Sequence, residues 1–309
     1  MVGRKPWVPW LWMSPALILL AVFLAYPVVD TVRRSLLDAR SQSFVGFDNY
    51  RFIIDNPRAL SANTHSAILN NLLWLVLFPT LAVSLGLILA VLTSRVRYES
   101  VAKSAIFIPM AISFVAAGVI WKFMLEYNAD IGTVNALAVK AHLDPTAWLQ
   151  DRGGLQTWFT SRGPDKWWGP LQINNVTLIL VATWMWTGFA LVVLSAGLRS
   201  ISHEIIEAAR VDGASEWQIF RRIIIPVLRP TIVVVTTTLV IQSLKIFDLV
   251  WVMSGGRFAT DVVATLFYKQ AFVSRDFGVG AALAVVLLVA VVPIMVISIR
   301  RFQFQEQTR

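Results

Sequence analysis

The sequence predicts an all-α, polytopic membrane protein with six transmembrane helices in a single domain over residues 1–309. Two observations carry this. Only 15% of the 309 residues are charged while 57% are hydrophobic, and the mean hydropathy is +0.66. A soluble domain carries about 25% charged residues. Crossing a bilayer takes roughly 20 apolar residues, and uncharged stretches of about that order occupy 6–29, 66–94, 104–121, 167–198, 230–244 and 277–299.

In chain order, the first span is placed at about 7–30. Its apolar stretch is longer than the core of a signal peptide, and no suitable cleavage site follows, so it is expected to stay attached. The loop after it contains the turn-and-aromatic segment Phe44-Val-Gly-Phe-Asp-Asn-Tyr50. Spans two and three are placed at 67–93 and 104–125. The loop at 126–173 follows, rich in tryptophan (Trp148, Trp158, Trp167, Trp168), with turns at Arg152-Gly-Gly and Arg162-Gly-Pro, and is expected to hold short helices. Span four covers 174–198, a polar loop 199–228, and spans five and six 229–252 and 277–299.

Charge sets the expected orientation. With a cytoplasmic N-terminus, the inside segments hold 13 of the 27 Lys and Arg in 60 residues, and the outside segments 12 in 106. The density is about twofold higher inside, the sense of the positive-inside rule. Trp7, Trp10 and Trp12 would then sit at one interface, Trp121 and Trp251 at the other. Both termini and the 199–228 loop are expected to be cytoplasmic, and the 126–173 loop extracytoplasmic. The net charge of +9 reads as topology rather than as a nucleic-acid footprint.

Several chemistries are disfavoured. The chain has no cysteine and three scattered histidines, so thiolate chemistry is absent and a metal centre is not expected. No P-loop is present, since Lys103-Ser104 follows Ala102 rather than a glycine-rich turn. Nor is there a clustered nucleophile set for a membrane-embedded enzyme. A proton-driven carrier would place ionisable groups deep in its spans, yet only span five carries a pair, Lys245 and Asp248. At ~1.5 Å per residue from Arg229, Lys245 lies roughly 24 Å across a ~30 Å core. Two roles stay open for this pair: an i,i+3 ion pair snorkelling outward, or part of a polar substrate path.

The richest segment is Ser202 to Pro226. It reads as two short helices broken at Asp212-Gly213, with Ser215 and Gln218 in capping-box spacing. Gly213 gives the turn its backbone freedom, and Ala208 and Ala209 keep one face small. Trp217 and Phe220 give the second helix an apolar face beside Arg221 and Arg222. Such a pair suits docking into a groove of another protein.

Glu207-Ala-Ala, three residues, Gly213, nine residues, then Ile223-x-Ile225-Pro226 resembles the EAA motif of binding-protein-dependent ABC importer permeases. The resemblance extends over nearly the whole chain. It includes Tyr26-Pro27, Gly46-Phe-Asp-Asn-Tyr50, Pro109, Gly132-x-x-Asn135, Ala196-Gly-Leu198, Phe247-Asp-Leu-Val-Trp251 and Asp276-Phe-Gly278. It points to the sugar-importing branch, of the two permease types to the MalF-like one, and most closely to α-glucoside permeases of the AglF type. Arg257 and Ser202 stand where the family often has proline.

The resemblance implies an ABC importer permease fold with cytoplasmic coupling helices and a non-catalytic role in carbohydrate import across a bacterial or archaeal plasma membrane. The substrate would be an oligosaccharide or α-glucoside such as maltose or trehalose. Partners would be a second, MalG-like permease, two ATP-binding subunits that hold ATP and Mg, an extracytoplasmic sugar-binding protein and membrane lipid. Glu207, Ala208, Ala209, Asp212, Gly213, Trp217, Phe220 and Pro226 would couple to the ATPase. Trp184, Trp186 and Thr187 of span four, with Thr238, Gln242, Lys245 and Asp248 of span five, are the expected substrate path, interhelix packing being the alternative for each. The competing function is an ion-coupled secondary transporter.

Overall fold

The computed structural model describes residues 7–55, 60–94, 96–150 and 172–307. The turns expected around Arg152 and Arg162, with Trp158, Trp167 and Trp168, lie outside the described residues. The helices are α1 (Val8–Ser35), α2 (Asp48–Asp55), α3 (Leu60–Thr93), α4 (Glu99–Phe107), α5 (Phe114–Met124), α6 (Thr133–Lys140), α7 (Ile173–Arg199), α8 (His203–Val211), α9 (Glu216–Leu244), α10 (Asp248–Ser254), α11 (Val263–Tyr268) and α12 (Phe277–Gln307).

Four helical stretches among the described residues are long and apolar enough to cross a membrane: Val8–Ser35, Ser66–Thr93, Ile173–Arg199 and Glu216–Leu244. The third stretch predicted from sequence is a bent pair: α4 with its 3-10 extension to Ala111 meets α5 at 96°. The cause is local. Pro109 sits in the 3-10 turn Ile108–Ala111, Ile112 is extended, and Ser113 starts a new helix by accepting the Ala116 N–H at 3.1 Å. An uncharged run conceals such a break.

Span five likewise stops short of 252. Helix α9 ends at Leu244 and α10 begins at Asp248, whose carboxylate suits the positive end of a helix. The last apolar helix is Phe277–Pro293, continued by helical residues to Gln307.

Two helices carry wide π turns just ahead of a proline. Ala21–Ala25 precedes Pro27 and Phe220–Ile224 precedes Pro226. Proline cannot donate to the carbonyl four residues back and collides with it, and a widened turn absorbs both defects.

The chain divides into two compact units, one of residues 1–64 with 266–289, the other of 65–265 with 290–309. In the first, Asn49 is the hub: its amide donates to the carbonyls of Ser35 (2.8 Å) and Leu37 (2.7 Å), while Tyr50 Oη donates to Ser35 Oγ. Gly278 lies so close that a Cβ there would stand 2.4 Å from the Leu37 carbonyl oxygen. The family-like segments at 46–50 and 276–278 are thus one packing device. In the second unit, α7 is the central helix, with Leu178, Ile179, Leu191 and Leu194 fully buried. Its glycines permit close approach: a Cβ on Gly188 would stand 2.6 Å from the Ile106 oxygen, and one on Gly197 2.7 Å from Leu228 Cδ2.

Candidate functional site

The loop between α7 and α9 is a short helix, a tight corner and the start of a long helix. Ser202 opens α8 by accepting the Glu204 N–H at 3.2 Å. The helix closes in a Schellman arrangement: the Gly213 N–H donates to the Arg210 carbonyl at 3.0 Å and the Ala214 N–H to the Ala209 carbonyl at 2.9 Å. This requires a left-handed residue at 213, where φ is +79°. No atom lies within 4 Å of where a Cβ would stand, so backbone conformation and not crowding demands glycine.

The capping box read from sequence is formed. The Ser215 N–H donates to Gln218 Oε1 at 2.8 Å, and the Gln218 N–H donates to Ser215 Oγ at 3.3 Å. Arg210 and Glu216 pair across the corner at 2.9 Å. That pair is half exposed and contributes ~0–1 kcal/mol, so the backbone caps do most to fix the angle.

The helix pair is anchored on one side and bare on the other. Ile201 and Ile219 are buried, at 8% and 2% exposure, whereas Ile205, Val211 and Trp217 are exposed, Val211 at 87%. Glu207, Ala208, Asp212, Gly213 and Pro226 are also exposed, and Ala209 is half-buried. Trp217 stacks on the half-buried Phe220, with ring centroids 5.7 Å apart. The residues proposed for coupling therefore lie within one accessible segment, except that Phe220 braces Trp217 and Pro226 follows the wide turn in α9. Behind the pair is a cavity of about 390 Å³, one wall of which holds Glu99, paired with Lys103 and, at 2.9 Å, with Arg199 at the end of α7.

The residues expected along a substrate path divide into two sets. On α7, Trp184 meets Trp121 edge-on at 5.5 Å and Trp186 stacks with Phe114 at 6.3 Å, forming an aromatic seam with α5. Thr187 is buried and its hydroxyl donates to the Thr183 carbonyl at 2.7 Å, a packing role. On α9, Thr238 donates to the Val234 carbonyl at 3.0 Å, and Gln242 is half-buried. No hydrogen bond or ring contact links the two sets among the described residues. Lys245 and Asp248 form no ion pair either, because the helix that would hold them one turn apart ends between them.

A set of buried amides stands beyond the residues expected from the sequence. Asn70 donates to the carbonyls of Ala259 and Asp261, both at 2.7 Å, and Asn174 to that of Phe258 at 2.8 Å. Asn175 donates to Asn70 Oδ1 at 3.0 Å, and Asn71 Oδ1 accepts the Val263 N–H at 2.8 Å. They fasten a loop in which Gly255, Gly256, Phe258 and Ala259 all have positive φ. The Asn-Asn pairs at 70–71 and 174–175, in otherwise apolar runs, were the available signal, because an unpaired amide there is costly.

Residues 82–306 match the family described as binding-protein-dependent transport system inner membrane component. The chain belongs to this family. The permease is 46% identical over 303 residues to the osmoprotective compounds uptake permease protein GgtC of Synechocystis, covering 97% of this chain and 100% of that one. It is 43% identical to the alpha-glucoside transport system permease protein AglF of Rhizobium meliloti, covering 94% and 81%. In fold it resembles a bacterial ABC transporter involved in import of the acidic polysaccharide alginate, with TM-score 0.75 at 23% identity, covering 95% of this permease and 96% of that chain. It is thus a non-catalytic, membrane-embedded permease subunit of an ABC importer.

Proposed function

We propose that this permease forms half of the translocation path of an importer for neutral glucosides, of the size of maltose or trehalose. Its EAA helix pair docks in the grooves of ATP-binding partners. The observation that carries the coupling role is the rigid corner at Asp212–Gly213, which presents Glu207, Val211 and Trp217 outward from a buried anchor. The glucoside reading is supported by the 43% identity to an alpha-glucoside permease and by a relative named for trehalose/maltose transport.

In this reading the partners are a MalG-like permease, two ATPases that bind ATP and Mg, and an extracytoplasmic sugar-binding protein. The termini and the coupling pair face the cytoplasm, so closure of the ATPase dimer moves α8 as a lever on α7 and α9. The test is ATP hydrolysis by the reconstituted complex with its binding protein, across a panel of sugars. Stimulation by maltose or trehalose is expected, and stimulation by acidic oligosaccharides alone would refute the glucoside assignment.

A further inference from the structure

Helix α9 carries 29 residues from the coupling corner to Leu244, or about 40 Å at 1.5 Å per residue. Beyond its far end, the second unit encloses a cavity of about 450 Å³ that none of the expected path residues lines. Its lining is chemically mixed: the aromatic residues Trp251 and Tyr127, the cationic Lys122 and Arg257, the acidic Glu126 and the amide Gln150.

The walls are constructed. Asn135, fully buried, donates to the carbonyls of Glu126 (2.9 Å), Tyr127 (3.3 Å) and Thr146 (3.0 Å), and its Oδ1 accepts from the Thr146 N–H and Trp148 Nε1. It thereby ties the 126–127 rim to the segment leading to Gln150. Gly132 allows this, because a Cβ there would stand 2.0 Å from the Glu126 carbonyl oxygen. The opposite rim is the left-handed loop at 255–259 held by Asn70 and Asn174. Trp251 stacks on Phe247 at 5.8 Å and 13°, which orients its ring.

We propose that this cavity is a carbohydrate subsite, distinct from the span-four and span-five path, that holds a neutral mono- or disaccharide unit at the end of the permease opposite its coupling helices. The proposal rests on the glucoside reading above. An oriented indole with a second aromatic ring offers the apolar face of a sugar a platform. Paired donors and acceptors around it (Lys122, Arg257, Gln150, Glu126) replace the water on its hydroxyls. Lys122, Arg257 and Gln150 supply donors for sugar hydroxyl oxygens, while Glu126, one of whose oxygens accepts the Tyr127 N–H, and Gln150 supply acceptors.

Because the chain contains no cysteine, Gln150→Cys supplies the single thiol of this subunit, whose labelling is read on its own band from the full transporter. Maleimide labelling is followed with and without maltose or trehalose, the binding protein being left out, with Ser274→Cys as a control outside the cavity. With sugar at roughly ten times its Kd, labelling at 150 should slow about tenfold while position 274 is unaffected. Trp251→Phe should keep this protection, and Trp251→Ala and Arg257→Gln should lose it. Unchanged labelling in a complex that imports either sugar overturns the subsite alone. In a second arm, sugar-free binding protein is added: protection by it, with none by sugar alone, overturns the subsite in favour of a docking surface. A complex that imports neither sugar overturns the glucoside reading, and the subsite with it.

Discussion

At Gly213 and Gly132 the same residue type serves opposite demands. Gly213 is left-handed in open space, so its replacements are ranked by backbone conformation: asparagine enters that region readily, whereas a β-branched residue is strained there by about 1–2 kcal/mol. Gly213→Asn should therefore retain most transport and Gly213→Val little, with equal amounts of both in the membrane, as read by uptake and immunoblotting. Gly132 is crowded, and Gly132→Ala should lower the thermal midpoint because the Glu126 carbonyl must move. Asn135→Leu removes the two amide hydrogens shared among the Glu126, Tyr127 and Thr146 carbonyls, at about 1–3 kcal/mol for each buried group left unpaired, and should destabilise the protein further in the same assay. Sequence made the first of these glycines legible because its cap partners lie within a few residues. The Asn70 hub was not legible, since its acceptors are 189 and 191 residues away and no local periodicity records them.

At the scale of elements, the coupling pair was readable for the same reason: a capping box, a glycine turn and a proline are local signals. The two breaks in the predicted spans were not, because hydropathy measures composition and not direction. Pro109 with Ser113, and Lys245 with Asp248, mark the two breaks: the first pair lies inside the apolar run 104–121, the second inside the span expected at 229–252. In the proposed coupling, the exposed side of α8 is the surface that the ATP-binding partners grip. Glu207→Ala should weaken retention of the ATP-binding subunits in a pull-down, whereas Ile219→Ala, on the buried anchor side, should act chiefly on stability. Removing both halves of the capping box, by Ser215→Ala with Gln218→Ala, costs about 1 kcal/mol. It should lower sugar uptake per ATP hydrolysed without removing the subunit from the membrane.

At the scale of the whole molecule, most of the chemistry lies at the two ends of the second unit: a rigid coupling corner at one and a polar, aromatic cavity at the other. Long helices poor in charge connect them, as expected of a device that transmits motion rather than protons. The composition, 57% hydrophobic and 15% charged, identified a membrane protein, while the placement of a few polar residues separated an ATP-driven permease from an ion-driven carrier. The most direct measurement of that distinction is sugar uptake into proteoliposomes holding the chain alone or with its partners. Maltose or trehalose uptake should require the second permease, the ATP-binding subunits, ATP and the binding protein, and should fall to background with Gly213→Val. Uptake by this chain alone, driven by an ion gradient, would contradict the account.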